Sequence, residues 1–280
     1  MHVVAQQTAK DNLEWFGVWT WYLSIMEILT PEPLTSPEDG FGLQQAVLEE
    51  VAAGCRGPTA LVWSSTRYIG ATRPETRLPG FDEAARLGQE SGFPVLIRNS
   101  GGGAVAANEG SLSFSLTFPI EDLRHGLYER YTEGAKLIVA GLAKLGVEAE
   151  AGGVEGEFCP GAYSVRTGGR SGTKIAGLAQ RVVRRAARLE ALILVTKTAE
   201  VRRILEQFYG SLGLPFRPRS VADLPVVDVP AVIGAFSATV RENYGGSKAE
   251  IGEATFERAR ALHESWRAVG SSSEPVSSDL

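Results

Sequence analysis

Two stretches of the chain concentrate residue types that can do chemistry. The first, "GEFCPGAYSVRTGGRSGTKIAGLAQRVVRR" (Gly156 to Arg185), holds Cys159, one of only two cysteines among 280 residues. Pro160 and Gly161 set a turn directly behind it, which takes the thiol out of regular pairing and points to an exposed loop tip. Lys174 opens the apolar-leaning run "KIAGLAQ", where an ammonium makes structural sense only if it faces something polar. A lysine near a thiol stabilises the thiolate, the nucleophilic form. The plain alternatives are a buried structural cysteine and a surface lysine at a strand start.

The second stretch is "RNSGGGAVAANEGSLSFSL". Gly101, Gly102 and Gly103 let the backbone come close to a ligand and aim N–H groups at a carbonyl or phosphate oxygen, with Arg98 as a nearby fixed cation. The spacing is neither that of a dinucleotide site nor that of a phosphate loop. A tight turn would use the same glycines.

Several elements must position these groups. A proline-punctuated loop, Thr30 to Gly40, precedes a helix whose apolar residues Leu43, Val47, Leu48 and Val51 recur at helical spacing until Gly54 stops it. "TALVWSS" and "FPVLIR" read as strands, with "FDEAARLGQESG" as a helix between them. From Ser111, strict alternation puts Leu112, Phe114, Leu116 and Phe118 on one face and hydroxyls on the other, which predicts a half-buried antiparallel strand. A long amphipathic helix follows from Leu127 to Leu145, then strands around "AYSVR", "KIAGLAQRVV" and "LEALILV". Helices are expected over Thr198–Tyr209, Pro230–Tyr244 and Glu250–Ala268. Strands and helices do not strictly alternate, so the fold class is α+β, with mixed and antiparallel sheets layered with helices.

The domain reading is an N-terminal strand and loop over 1–40, one large domain over 41–268, and a serine-rich mobile tail over 269–280. The apolar run Phe16 to Met26 is too short to span a bilayer and is flanked by Glu14 and Glu27, so it reads as the first strand. A net charge of -5 gives no global affinity for nucleic acid, and the two cysteines form no disulfide framework. His2, His125 and His263 lack metal-ligand spacing, and a reducing, cytoplasmic compartment is expected. The local run Arg181, Arg184, Arg185 and Arg188 is either a solvated face or a dock for an acidic partner.

"RNSGGGAV" with "GSLSFSL", and "FCPGAYSV…GTKIAGLAQR", resemble the biotin/lipoate protein ligase family over roughly Leu43 to Val195. Cys-Pro-Gly and "ETRLPG" narrow the resemblance to the octanoyl-[glycine cleavage system H protein]:protein N-octanoyltransferase branch, the amidotransferases of lipoate assembly. The resemblance implies a biotin/lipoate ligase-like catalytic domain in which Cys159 is the acyl-thioester nucleophile and Lys174 lowers its pKa. It also implies that Arg98, Ser100, Gly101, Gly102 and Gly103 line the acyl pocket. The implied reaction moves an octanoyl or lipoyl group from a lysine of the glycine cleavage H protein to a lysine of a 2-oxoacid dehydrogenase E2 lipoyl domain. Neither ATP nor a metal takes part. Those carrier domains would be the partners, with no nucleic acid or membrane, and their acidic faces would dock at the arginine run. Two features depart from the branch: "RTGGRSG" is longer than expected, and Gln45 replaces a usual acidic residue. Three alternatives stay open: an octanoyltransferase fed by acyl carrier protein, an ATP-dependent ligase in which Cys159 is incidental, and a carrier-binding module without catalysis.

Overall fold

The computed structural model describes residues 25–225 and 227–268. The expected first strand therefore lies almost wholly outside the described residues, as does the tail. The chain runs β1 (Glu27–Leu29), α1 (Pro37–Ala53), β2 (Thr59–Ser64), β3 (Tyr68–Thr72), a 3-10 turn (Glu75–Arg77) and α2 (Phe81–Glu90). Next come β4 (Val95–Arg98), β5 (Val105–Ala107), β6 (Ser111–Pro119), α3 (Leu127–Ala143), β7 (Glu150–Ala151), β8 (Val165–Thr167), β9 (Thr173–Val183) and β10 (Ala186–Leu194). The remainder is α4 (Thr198–Ser211), α5 (Val229–Tyr244), β11 (Ser247–Ala249), α6 (Glu253–Ala261) and α7 (His263–Trp266).

Eight strands form one sheet in the order β11-β1-β2-β6-β10-β9-β8-β7. It is parallel at β11-β1-β2 and antiparallel from there to β7. A second sheet, β4-β3-β5, has one parallel and one antiparallel pairing. The α+β expectation therefore holds. Of the small sheet only β4 was foreseen, as "FPVLIR"; β3 and β5 are short and closely followed by loops.

Helices cover both faces of the large sheet. On one side α3 and α5 pack Ile138, Leu142 and Phe236 against Phe114 and Leu116; on the other, α1 brings Leu43 and Val47 onto Leu61 and Trp63. The alternating strand β6 is consequently buried on both sides from Ser111 to Thr117, not half-buried as its pattern predicts. Its hydroxyls are accommodated locally: the Ser113 hydroxyl, for example, lies 2.7 Å from that of Ser65. The small sheet has its own core, where α2 and α4 pack Phe81, Leu205 and Phe208 over Ile69. No helix among the described residues is long and apolar enough to cross a membrane.

Two other boundaries differ from expectation. Helix α1 begins at Pro37 because Ser36 and Asp39 form a reciprocal capping box, so the loop ends four residues before Gly40. The expected helix Glu250–Ala268 is broken into α6 and α7, with His263 drawn to Asp39 at 3.0 Å and Trp266 turned into the interior.

Helix α6 can lie on α1 only because residue 42 is glycine: a Cβ there would sit 2.5 Å from the Ala259 carbonyl oxygen and 3.0 Å from its Cα. Both neighbours are backbone and cannot swing away. Gly42→Ala is expected to destabilise the chain by about 1–3 kcal/mol through overpacking, read as a lower urea midpoint. An unchanged midpoint would mean that α6 does not rest on α1.

Candidate active site

Cys159 sits where the glycine loop after β4 meets the turn before β8. Its φ of 42° is left-handed, a strained conformation for a residue with a Cβ, and it is 9% exposed. The expected exposed loop tip is thus corrected: the turn is folded inward over the small sheet. Its Sγ accepts the Gly103 N–H at 3.2 Å and Nη2 of Arg98 at 3.4 Å. Arg98 Nη2 also donates to the Gly103 carbonyl at 2.6 Å. Gly102 has φ 101°, and a Cβ on it would stand 2.7 Å from both Sγ and Arg98 Nη2. Only glycine lets the loop come this close to the sulfur.

The loop and the turn are fastened to one another. The Cys159 N–H donates to the Tyr209 hydroxyl at 2.7 Å, and that hydroxyl donates to the Ala104 carbonyl at 2.9 Å. Burial, ahead of smaller effects, raises the Tyr209 pKa, so the phenol keeps the proton it donates. The Ala104 N–H goes to Glu75 Oε1 at 2.7 Å, while Glu75 Oε2 accepts both the Thr72 N–H and hydroxyl at 2.8 Å. The first residue of "ETRLPG" is therefore an anchor for the glycine loop.

Lys174, at the start of β9, is wholly buried. Its ammonium donates to the carbonyls of Phe158 at 2.9 Å and Cys159 at 2.8 Å, and pairs with Glu157 Oε2 at 3.3 Å. Glu157 Oε1 accepts the Gly161 N–H and the Ser164 hydroxyl, both at 3.0 Å, on the far side of the turn. Lys174 makes no hydrogen bond to Sγ; it grips the backbone that carries the cysteine. Burial pulls its pKa down, against the opposing effects of Cys159 and Glu157.

Beside Arg98 lies a second charged group, Arg188 and Glu190, which also lines the cleft next to the sulfur. Arg188 Nη2 is 2.7 Å from Glu190 Oε2, Arg98 Nη1 is 4.0 Å from Glu190 Oε1, and the Ser100 hydroxyl donates to that same oxygen. Burial works against the charge on Glu190, but the two guanidiniums and the hydroxyl outweigh it and hold the carboxyl below its ordinary range. Ser100 itself does not line the cleft. Arg188 departs from the expected basic surface run: it is 3% exposed, because β10 is an interior strand covered on both faces. Arg181, Arg184 and Arg185 remain exposed, the last two as the two-residue turn between β9 and β10. Gln45 accepts from Asn99 at 2.9 Å, and Asn99 in turn accepts from Arg188 at 3.1 Å.

A cleft opens beside the sulfur. Arg98 and Cys159 line it together with apolar side chains that include Val105, Leu178 and Leu192. Gly102 and Gly103 border the sulfur, whereas Gly101 stands in open space beside them. Sequence reasoning missed Glu157, Glu190 and Tyr209. A carboxylate two residues before Cys159 and a lone glutamate in the apolar "LEALILV" were available signals, whereas nothing marks Tyr209 within its helix. Among the described residues, no three His, Cys, Asp or Glu side chains gather as a metal site.

Residues 36–221 match the family model described as the lipoyl protein ligase A/B catalytic domain. An octanoyl-[GcvH]:protein N-octanoyltransferase of Geobacillus kaustophilus is 32% identical over 65% of this chain, which spans 63% of that relative's length, just under two thirds. A protein of the same name from Kyrpidia tusciae is 32% identical over 95% of both chains. The crystal structure of lipoate-protein ligase A bound with ATP superposes with a TM-score of 0.67 over 86% of this chain and 95% of that one, at 19% identity. That likeness is one of fold. Because the family pattern runs through both the glycine loop and the cysteine turn, and a relative aligns almost end to end, the chain belongs to the lipoyl protein ligase A/B catalytic-domain family.

Proposed function

We propose that this chain is an N-octanoyltransferase of protein lipoylation that works through a thioester on Cys159. The observation that carries the reading is a cysteine sulfur held by the Gly103 N–H and Arg98 at the edge of an apolar cleft. The names of the Geobacillus and Kyrpidia relatives support it. The Cys159 thiolate attacks the carbonyl of an octanoyl-lysine amide on a carrier such as the glycine cleavage H protein. An S–C bond forms, the C–N bond breaks, and the lysine amine leaves with a proton. In the second half the lysine amine of an E2 lipoyl domain attacks the thioester, an amide forms and the thiol is released. One amide is exchanged for another, so the reaction requires neither ATP nor a metal.

Each group near the sulfur has a part in this scheme. Arg98 touches Sγ and is the contact cation for the thiolate. Once the sulfur is acylated, the Gly103 N–H is free to face the oxyanion of the tetrahedral intermediate. Lys174 adds positive charge one layer back; with its ammonium taken by the Phe158 and Cys159 carbonyls and by Glu157, it holds the turn that carries the sulfur. Burying about seven carbons of an octanoyl tail at about 0.8 kcal/mol each would supply about 5 kcal/mol of acyl recognition. A free catalytic thiol suits a reducing compartment, so the proposed setting is the cytoplasm. Arg181, Arg184 and Arg185 offer positive charge to an acidic carrier.

Intact-mass spectrometry tests the reaction. After incubation with octanoylated glycine cleavage H protein, the wild type is expected to gain one octanoyl mass and Cys159→Ala none. Octanoyl-acyl carrier protein as the better donor would redirect the first half-reaction. Equal transfer by Cys159→Ala would end the thioester mechanism.

The rate of iodoacetamide labelling of Cys159 tests the contact cation. Arg98→Gln is expected to slow labelling several-fold, and an unchanged rate would remove Arg98 from that role. Lys174→Ala strands Glu157 in the interior and is expected to cost about 3 kcal/mol of stability, seen in urea unfolding. Wild-type stability in that variant would contradict the clamp.

A further inference from the structure

The described chain ends in a strap that returns to the cleft. Helix α7 is held to the start of α1 by His263 against Asp39 at 3.0 Å and by Arg267 against Glu38 at 3.2 Å. Arg267 forms an antiparallel bridge with Leu96 of β4, and the Ala268 N–H reaches the Val95 carbonyl at 3.4 Å. Between these ties Trp266 points inward and is 5% exposed. Its ring meets Phe41 edge-on at 5.7 Å, and Phe41 meets Tyr68 at 5.1 Å.

All three aromatic side chains line the same cleft as Cys159. Strand β3 gives the scale: Thr72 pairs with Arg98 at the sulfur end, and Tyr68 lies four residues back, about 13 Å along an extended strand. Past Phe41 and Tyr68 a separate pocket begins, lined by Leu34 and Trp63. Phe41 and Tyr68 line both spaces and so part them, while Trp266 lines only the cleft and packs edge-on against Phe41 there. Among the described residues the buried indole N–H of Trp266 has no hydrogen-bond partner. A stranded donor costs about 1–3 kcal/mol, so stability alone is a poor reason for tryptophan here.

We infer that Trp266, carried on the C-terminal strap, is the end wall of the acyl cleft and sets the length of acyl chain that Cys159 accepts. The inference rests on the acyltransferase reading above. It places a specificity determinant outside the stretch, 36–221, that matches the family model. An acyl chain laid from Sγ along β3 ends against the Phe41–Trp266 pair. Shortening Trp266 lengthens the cleft itself by the space of the indole, and each methylene admitted changes discrimination by about tenfold or more.

The test uses the full chain and glycine cleavage H protein carrying either an octanoyl or a dodecanoyl group on its lysine. Thioester formation on Cys159 is followed by intact-mass spectrometry, and each protein's melting temperature is recorded. Trp266→Ala is expected to raise the dodecanoyl-to-octanoyl ratio of initial rates by about tenfold or more, with Trp266→Phe in between. Trp266→Phe keeps an aromatic ring in place and decides the matter if the alanine variant does not fold. Unchanged ratios in a folded variant that still takes octanoyl overturn the wall. A wild type that takes no octanoyl group from octanoylated H protein or from octanoyl-acyl carrier protein overturns the acyltransferase reading, and the wall with it.

Discussion

The buried contact between Lys174 and the Glu157–Cys159 turn is the constraint on which the site depends. A left-handed cysteine is unfavourable by about 1–3 kcal/mol and persists only where its surroundings over-determine it. Here they do. The ammonium takes the carbonyls before and at the strained residue, Glu157 ties the ammonium to the residues after it, and Tyr209 takes the amide of the cysteine itself. Every backbone polar group of Cys159 is then satisfied within the protein. The turn can be buried without leaving an orphan donor or acceptor.

The two sheets explain how sequence-distant pieces meet there. Lys174 begins β9 and Glu190 lies within its neighbour β10, so the long sheet supplies the lysine from one strand and the carboxylate beside Arg98 from the next. The small sheet brings the other half. Strand β4 delivers Arg98 at its end, β3 leads into Glu75, and α4 packs across the same core to present Tyr209. The cysteine turn lies in the seam, so a shift of either sheet would be felt at the sulfur.

How far the sequence discloses this arrangement depends on the range of the interaction. Cys-Pro-Gly, the glycine triplet and the lysine of "KIAG" are local patterns, and all three meet at one place. The long helices and β6 carry clean periodicity and fall where it puts them. Periodicity reports side-chain alternation, however, and not what covers each face. The hydroxyl face of β6 therefore reads as exposed although it is buried, and Arg188 reads as a solvated arginine although β10 is interior. Tyr209 is silent for another reason: its partner lies 50 positions away, and nothing about a tyrosine in an amphipathic helix announces a hydrogen bond to a distant turn. The capping box of α1 was legible in "SPED", but its prolines and acidic residues also suit a loop.

The charge arrangement has a consequence for a catalyst whose nucleophile must change state. Each buried cation beside the cysteine has its own carboxylate: Lys174 has Glu157, while Arg98 shares Glu190 with Arg188. An unpaired buried charge is strongly destabilising, whereas a paired one is tolerable. On the proposed cycle the sulfur passes from thiol to thiolate to thioester and back, gaining and losing a negative charge each time. Had either cation relied on the thiolate as its sole counter-ion, acylation would strand it and strain the fold at the moment the acceptor must bind. With the carboxylates in place no cation is without a counter-ion in any of the three states. The one positive charge left over among Lys174, Arg98 and Arg188 favours the thiolate when it forms.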